Sequence, residues 1–195
     1  MILTELTALP AGSLPFHTLK EHLRLGTGFA EADLQDGLLE TVMRASIAAL
    51  EARLGVVFLN RQFSWQLSAW RDGRPQILPK RPAQSLDAVM LIDASDQETA
   101  VDIGDFVLRR DNQNPSVEAL GCFPAIQTGG VVDIQFTAGF GDAWSDVPAD
   151  LAQAMILLAA HFYENRNGST VSDTQFPPLV LSLIAPFQKI RGLRG

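Results

Sequence analysis

The spacing of apolar residues changes twice along this chain, and that change restricts the fold more than any other feature. From Ala32 to Leu54, Leu34, Leu38, Val42, Ala45, Ala49 and Leu50 recur at three- and four-residue intervals, the signature of an amphipathic helix. Gln35, Glu40, Arg44 and Glu51 fall on the other face, and Gly55 stands where a left-handed cap is wanted. From Phe63 the period drops to two: Phe63, Trp65, Leu67 and Ala69 alternate with Gln62, Ser64, Gln66 and Ser68, as in a half-buried strand. Helical spacing returns after Pro148, where Leu151, Ala154, Met155, Leu158 and Phe162 line one face and Ile156, Leu157 and Ala160 make most of the circumference apolar. These zones predict an α+β fold. A bundle of N- and C-terminal helices carries an inserted, antiparallel β-rich lobe.

The expected organisation is an N-terminal arm and helices over 1–60, a β-rich insertion over 61–145, and C-terminal helices with a tail over 146–195. The two helical parts are expected to pack as one unit. Residues 1–16 read as an irregular arm, followed by a short helix from Phe16 to Leu25 that Gly26 ends. Within the insertion, strands are expected around Ile77-Leu78 at a sheet edge, Leu86–Asp93, Glu98–Val101, Phe106–Arg109, Val117–Leu120 and Val131–Ala138. With no helices between them, they suggest a meander. Asp146 is the expected N-cap of the second long helix, and Pro186 ends or kinks a short helix over Leu179–Ala185.

Composition narrows the function classes. The formal net charge is −7, and the densest basic clusters are Arg71–Arg81 and the tail at Lys189, Arg191 and Arg194. Sequence-independent DNA binding needs clustered cations, so the chain as a whole should repel DNA. Met155–Ala160 is far shorter than a membrane span of roughly 18 residues. The opening Met1–Glu5 lacks the pattern of a secretion signal, so a cytoplasmic location is expected.

The search for chemistry finds no site. His17, His22 and His161 with Cys122 give no zinc spacing, and Cys122 reads as a buried or half-buried structural thiol. His161 lies in the most apolar helix and reads as a packing residue. The acidic pairs Asp93/Asp96, Asp102/Asp105 and Asp142/Asp146 do not follow a calcium-loop pattern and read as turn residues. Gly26-Thr27-Gly28 follows no strand and precedes no Lys-Ser/Thr pair, so it is not a phosphate loop. No catalytic residue, cofactor or metal is expected.

Several runs, in a fixed order, carry a family likeness. They are Thr18-Leu19-Lys20-Glu21-His22-Leu23-Arg24, then Leu50-Glu51-Ala52-Arg53-Leu54-Gly55, then Leu78-Pro79-Lys80-Arg81-Pro82. Val131–Phe140 comes next, and after Val147-Pro148 comes Ala160-His161-Phe162-Tyr163-Glu164-Asn165-Arg166. Their order and spacing resemble the head–tail connector, or adaptor, proteins of long-tailed phages and gene transfer agents; the arm Met1–Leu14 is a departure. The resemblance implies a structural subunit, built into the neck of a particle, in a closed ring of about twelve copies. It further implies a portal protein on one side, the next neck component (a stopper) on the other, and DNA passing through without specific binding. The tail could then dock on the portal through Phe187, Lys189, Ile190, Arg191 and Arg194. Ala45, Ala48, Ala49 and Ala52 could admit a neighbouring copy or a helix of the same chain. The alternatives are another neck component, stopper or tail-completion protein, and, more remotely, a small hydrolase-type enzyme.

Overall fold

The computed structural model describes residues 1–25, 32–71, 74–165 and 176–189. The chain divides into two compact units: one holds Met1–Leu9 and Leu59–Asp142, the other Pro10–Phe58 and the described residues from Ala143 onward.

The first unit is built on strands. A five-stranded antiparallel sheet has the order β1 (Ile2–Glu5), β2 (Arg61–Leu67), β8 (Val131–Ala138), β4 (Ala83–Ile92), β5 (Glu98–Val101). A second sheet has the order β3 (Gln76–Ile77), β7 (Ser116–Ala119), β6 (Phe106–Arg109). The expected meander is therefore corrected. The last strand in sequence, β8, is the central one, paired with β2 on one edge and β4 on the other. Val132, Ile134, Phe136 and Ala138, all on one face, are fully buried. Register aligns Phe63 with Phe136 and Trp65 with Ile134, and Ile134 also faces Val89. The Phe63 and Phe136 rings stack at 5.7 Å.

On the opposite face of β2 and β8, and at the start of β4, polar side chains satisfy one another. Ser64 donates to Asp133, which also accepts from Gln135 at 3.1 Å. Asp87 accepts from Thr137 at 2.7 Å and from Ser85 at 2.6 Å. This network explains how Asp133 can be buried without a cation beside it in sequence.

Ile2–Glu5, expected to be irregular, is instead edge strand β1. It pairs with β2, and Arg61 donates through one nitrogen to both Glu5 oxygens at 2.9 Å. No apolar alternation announces this strand; its stability comes from ladder bonds and this ion pair.

The helical unit contains α1 (Phe16–His22), α2 (Ala32–Leu54), α3 (Ala149–Glu164) and α4 (Pro178–Ile184). α1 stops three residues earlier than the periodicity suggests, with Arg24 at a φ of 53°; Gly26, the expected terminator, lies outside the described residues. α2 has the expected span, and Gly55 at φ 69° closes it, donating to Glu51 O at 2.8 Å. The Glu51 side chain is buried and accepts from the Phe58 amide at 2.9 Å, fixing how the chain leaves the helix. α3 packs against α1, α2 and α4. That explains why Leu151, Ala154, Met155, Ile156, Leu158, Ala159 and Ala160 are all buried. Asp146 does not cap α3. It ends a short 3-10 turn and accepts from the Ala143 amide at 3.0 Å, while Pro148 precedes the helix. After α4, Pro186 sits inside a 3-10 turn, Ala185–Phe187.

Gly139, at the end of β8, has φ 148°, and a Cβ there would sit 2.4 Å from the Asn60 amide nitrogen. Backbone cannot move aside as a side chain can. Gly139→Ala is expected to lower stability by about 2 kcal/mol or more, measured by denaturant unfolding. Wild-type stability in that variant would contradict the geometry.

Candidate functional site

The alanines of α2 separate by exposure. Ala45, Ala48 and Ala52 are exposed and Ala49 is half-buried, whereas Leu39, Val42, Met43, Ser46, Ile47, Leu50 and Leu54 are buried. The buried set faces the interior and packs on α3. The exposed set, with Thr41 one turn before Ala45, forms a low outer strip that a second helix could approach closely. The Arg44–Glu40 ion pair at 2.7 Å lies beside it.

In the C-terminal segment Phe187 is half-buried and Lys189 exposed. Ile190, Arg191 and Arg194 lie outside the described residues. Arg53 sits over the Phe176 ring at 5.0 Å, tying the end of α2 to the chain entering α4.

Cys122 is exposed, contrary to the expected burial. It lies on the rim of an open groove of about 970 Å³ lined by Trp70, Pro75, Phe123 and Ile126. Trp70 stacks on Phe123 at 4.4 Å and donates its indole N–H to Pro124 O at 2.7 Å. Both rings are half-buried, whereas the thiol is exposed. Sequence reading missed the groove because its walls come from distant segments.

The acidic residues are occupied in turns. Asp93 accepts from the Ser95 and Gln97 amides, Asp102 from Gly104, and Asp142 from the Asn60 side chain. Among the described residues no group of three or more His, Cys, Asp or Glu is placed to hold a metal ion. His161 is half-buried, with Nδ1 3.0 Å from the side-chain Nδ2 of Asn165. Among the described residues no helix is long and apolar enough to cross a membrane.

The loop after β6 is held by side-chain hydrogen bonds from Arg81 and Asp111. Arg81, 5% exposed, donates to Asn112 O at 3.0 Å and Gln113 Oε1 at 2.8 Å; burial holds its pKa below the ordinary value. Asp111 accepts from the Asn114 amide at 2.6 Å and the Gln113 amide at 2.7 Å, and these bonds pull its carboxyl below the usual range.

No protein-family model matches the chain, and no curated protein matches it. Solved structures do. A chain in the neck of an empty gene transfer agent particle, computed with C6 symmetry, is 44% identical with a TM-score of 0.90; the match covers 100% of this chain and 99% of that one. The chain belongs to the gene transfer agent neck protein family. Another relative, a chain of the virion of a native gene transfer agent particle, is 44% identical with a TM-score of 0.87, again over 100% of this chain and 99% of that one. A third, in the neck of a native particle computed with C12 symmetry, is 40% identical with a TM-score of 0.85 over the same shares. Neck proteins of this family are structural particle components, and the α+β architecture expected from the sequence is the one they share.

Two measurements check these assignments. His161→Ala is expected to lower the melting temperature by roughly 2–4 °C, a loss of about 1 kcal/mol of packing, and to leave assembly into particles intact; assembly failure with unchanged stability would contradict a packing role. Asp111 should titrate with a midpoint below 3.8 in a carboxyl NMR titration. Its contribution to loop order is present above the ordinary carboxylate range and lost as pH falls through that depressed midpoint. A midpoint at or above the ordinary value would contradict the two amide bonds.

Proposed function

We propose that this chain is the adaptor subunit of a gene transfer agent or phage-type particle, arranged in a ring between the portal and the next neck component. The observation that carries the reading is full-length similarity, at 40–44% identity, to chains in particle necks computed with C6 and C12 symmetry. A closed ring requires each copy to present two different patches, one to each neighbour. The exposed strip Ala45, Ala48, Ala52 is one such patch: small side chains let a neighbouring helix approach with little steric cost. The segment from Phe187 onward is the proposed portal contact, with Phe187 and Ile190 as apolar anchors and Lys189, Arg191 and Arg194 meeting acidic surface. DNA passes through the ring. The formal charge of −7 favours sliding over adhesion. The role is architectural and involves no chemical step.

Mixing the purified chain with the portal protein of the same particle, under size-exclusion light scattering, is expected to give one large complex of fixed stoichiometry without DNA. Deleting 187–195 is expected to abolish it. A complex that forms equally well without the tail overturns the docking assignment, and absence of any complex across several salt concentrations overturns the adaptor reading. Ala48→Arg is expected to keep the portal contact while reducing the copies bound per portal; an unchanged number overturns the α2 strip as a subunit contact.

A further inference from the structure

Charge is sorted along the strand unit in a way the neck assignment does not use. From Pro82 through Leu108 there is no Lys, Arg or His, while Asp87, Asp93, Asp96, Glu98, Asp102 and Asp105 all fall there. Two basic pairs bracket this stretch, Lys80-Arg81 before it and Arg109-Arg110 after it. The fold brings the pairs together. β3 and β6 both pair with β7, Ile77 and Arg109 facing the same residue, Ser116. Arg81 donates to Asn112, two residues past Arg110.

The acidic turn lies at the other end of β4. Ala83 comes just after the first basic pair, and Ile92 leads into the turn where Asp96 and Glu98 are exposed. At about 3.3 Å per residue β4 places the two poles roughly 30 Å apart. That is several times the Debye length of about 8 Å at physiological salt. Within one copy, therefore, the poles cannot neutralise each other. Both are also held rigid, the turn by the amide bonds to Asp93 and the basic loop by Arg81 and Asp111. Rigid surfaces lose little conformational freedom on docking.

We propose that the basic pole, Lys80 with Arg110, receives the acidic turn, Asp96 with Glu98, of the neighbouring copy. The occupant is a second copy of this chain because charge complementarity and the opposite placement of the poles fit a head-to-tail contact, in which a different patch faces each neighbour. This proposal rests on the ring reading. Lys80→Gln with Arg110→Glu is expected to reduce the copies retained in the particle neck at least about tenfold. Asp96→Asn with Glu98→Lys, which respects the turn's positive φ at Asp96, is expected to do the same. All four substitutions together are expected to restore retention.

A cross-link reports the contact directly. Glu98→Cys with Arg110→Cys, in a Cys122→Ser background, is expected to give a ladder of oxidised oligomers from assembled particles on a non-reducing gel. Retention unchanged by either reversal overturns the proposal. Failure of the combined variant to restore it also overturns it, and points the basic pole at DNA or at a different neck protein. Rings visible by electron microscopy but yielding monomer on the gel overturn this contact and leave the ring reading standing. Particles that hold the chain outside any ring overturn both.

Discussion

Gly139 and Asn60 approach so closely that no side chain fits between them, and the strand unit is arranged around that approach. The Asn60 amide donates to Gly141 O at 2.8 Å, and Gly139 donates to Pro82 O at 2.9 Å. Together these bonds hold the end of β8 between the start of β2 and the start of β4. β8 then lies in the middle of the sheet, although it is separated from β2 by the rest of the insertion. Loop closure over such a length is entropically unfavourable. Phe136, Ile134 and Val132 offset it, being completely buried where they face Phe63, Trp65 and Leu67 across the β2 pairing, at about 25 cal/mol per Å² of apolar area.

The helical unit solves a different problem. α3 is apolar nearly all round and would be insoluble alone; α1, α2 and α4 cover it. α2 is covered on one side only, and what it leaves exposed is alanine, not leucine. An exposed leucine strip would risk non-specific association, whereas alanines remain compatible with water until a matching surface arrives.

Strong periodicity was legible in the residues and weak periodicity was not. α2 and β8 have the bounds that their spacing predicts, because each buries one face consistently; β5 buries no residue, and its bounds follow from its place as the hairpin partner of the strand before it. β1 was invisible: Ile2, Leu3, Thr4 and Glu5 show no alternation, and the strand exists through its pairing with β2 and through Arg61. The sheet order was equally hidden, since alternation says which face is buried and nothing about which strand is the neighbour. Asp146 illustrates a local competition. Its carboxylate can bond the nearby Ala143 amide or an amide of the helix after it, and it takes the former. Among candidate surfaces, the α2 strip could be read from residue size. The basic pole could not, because Lys80-Arg81 and Arg109-Arg110 meet only once β3, β7 and β6 pair.

An architectural subunit works by where it sits, so its location tests the account most directly. Electron cryomicroscopy of particles whose copies of this chain carry a small N-terminal tag bound by a labelled Fab would report it. The predicted result is Fab density repeated around the particle axis at the junction between portal and tail, and nowhere else. Density scattered over the head or tail, or particles that assemble and deliver DNA with no labelled chain in the neck, would contradict the account.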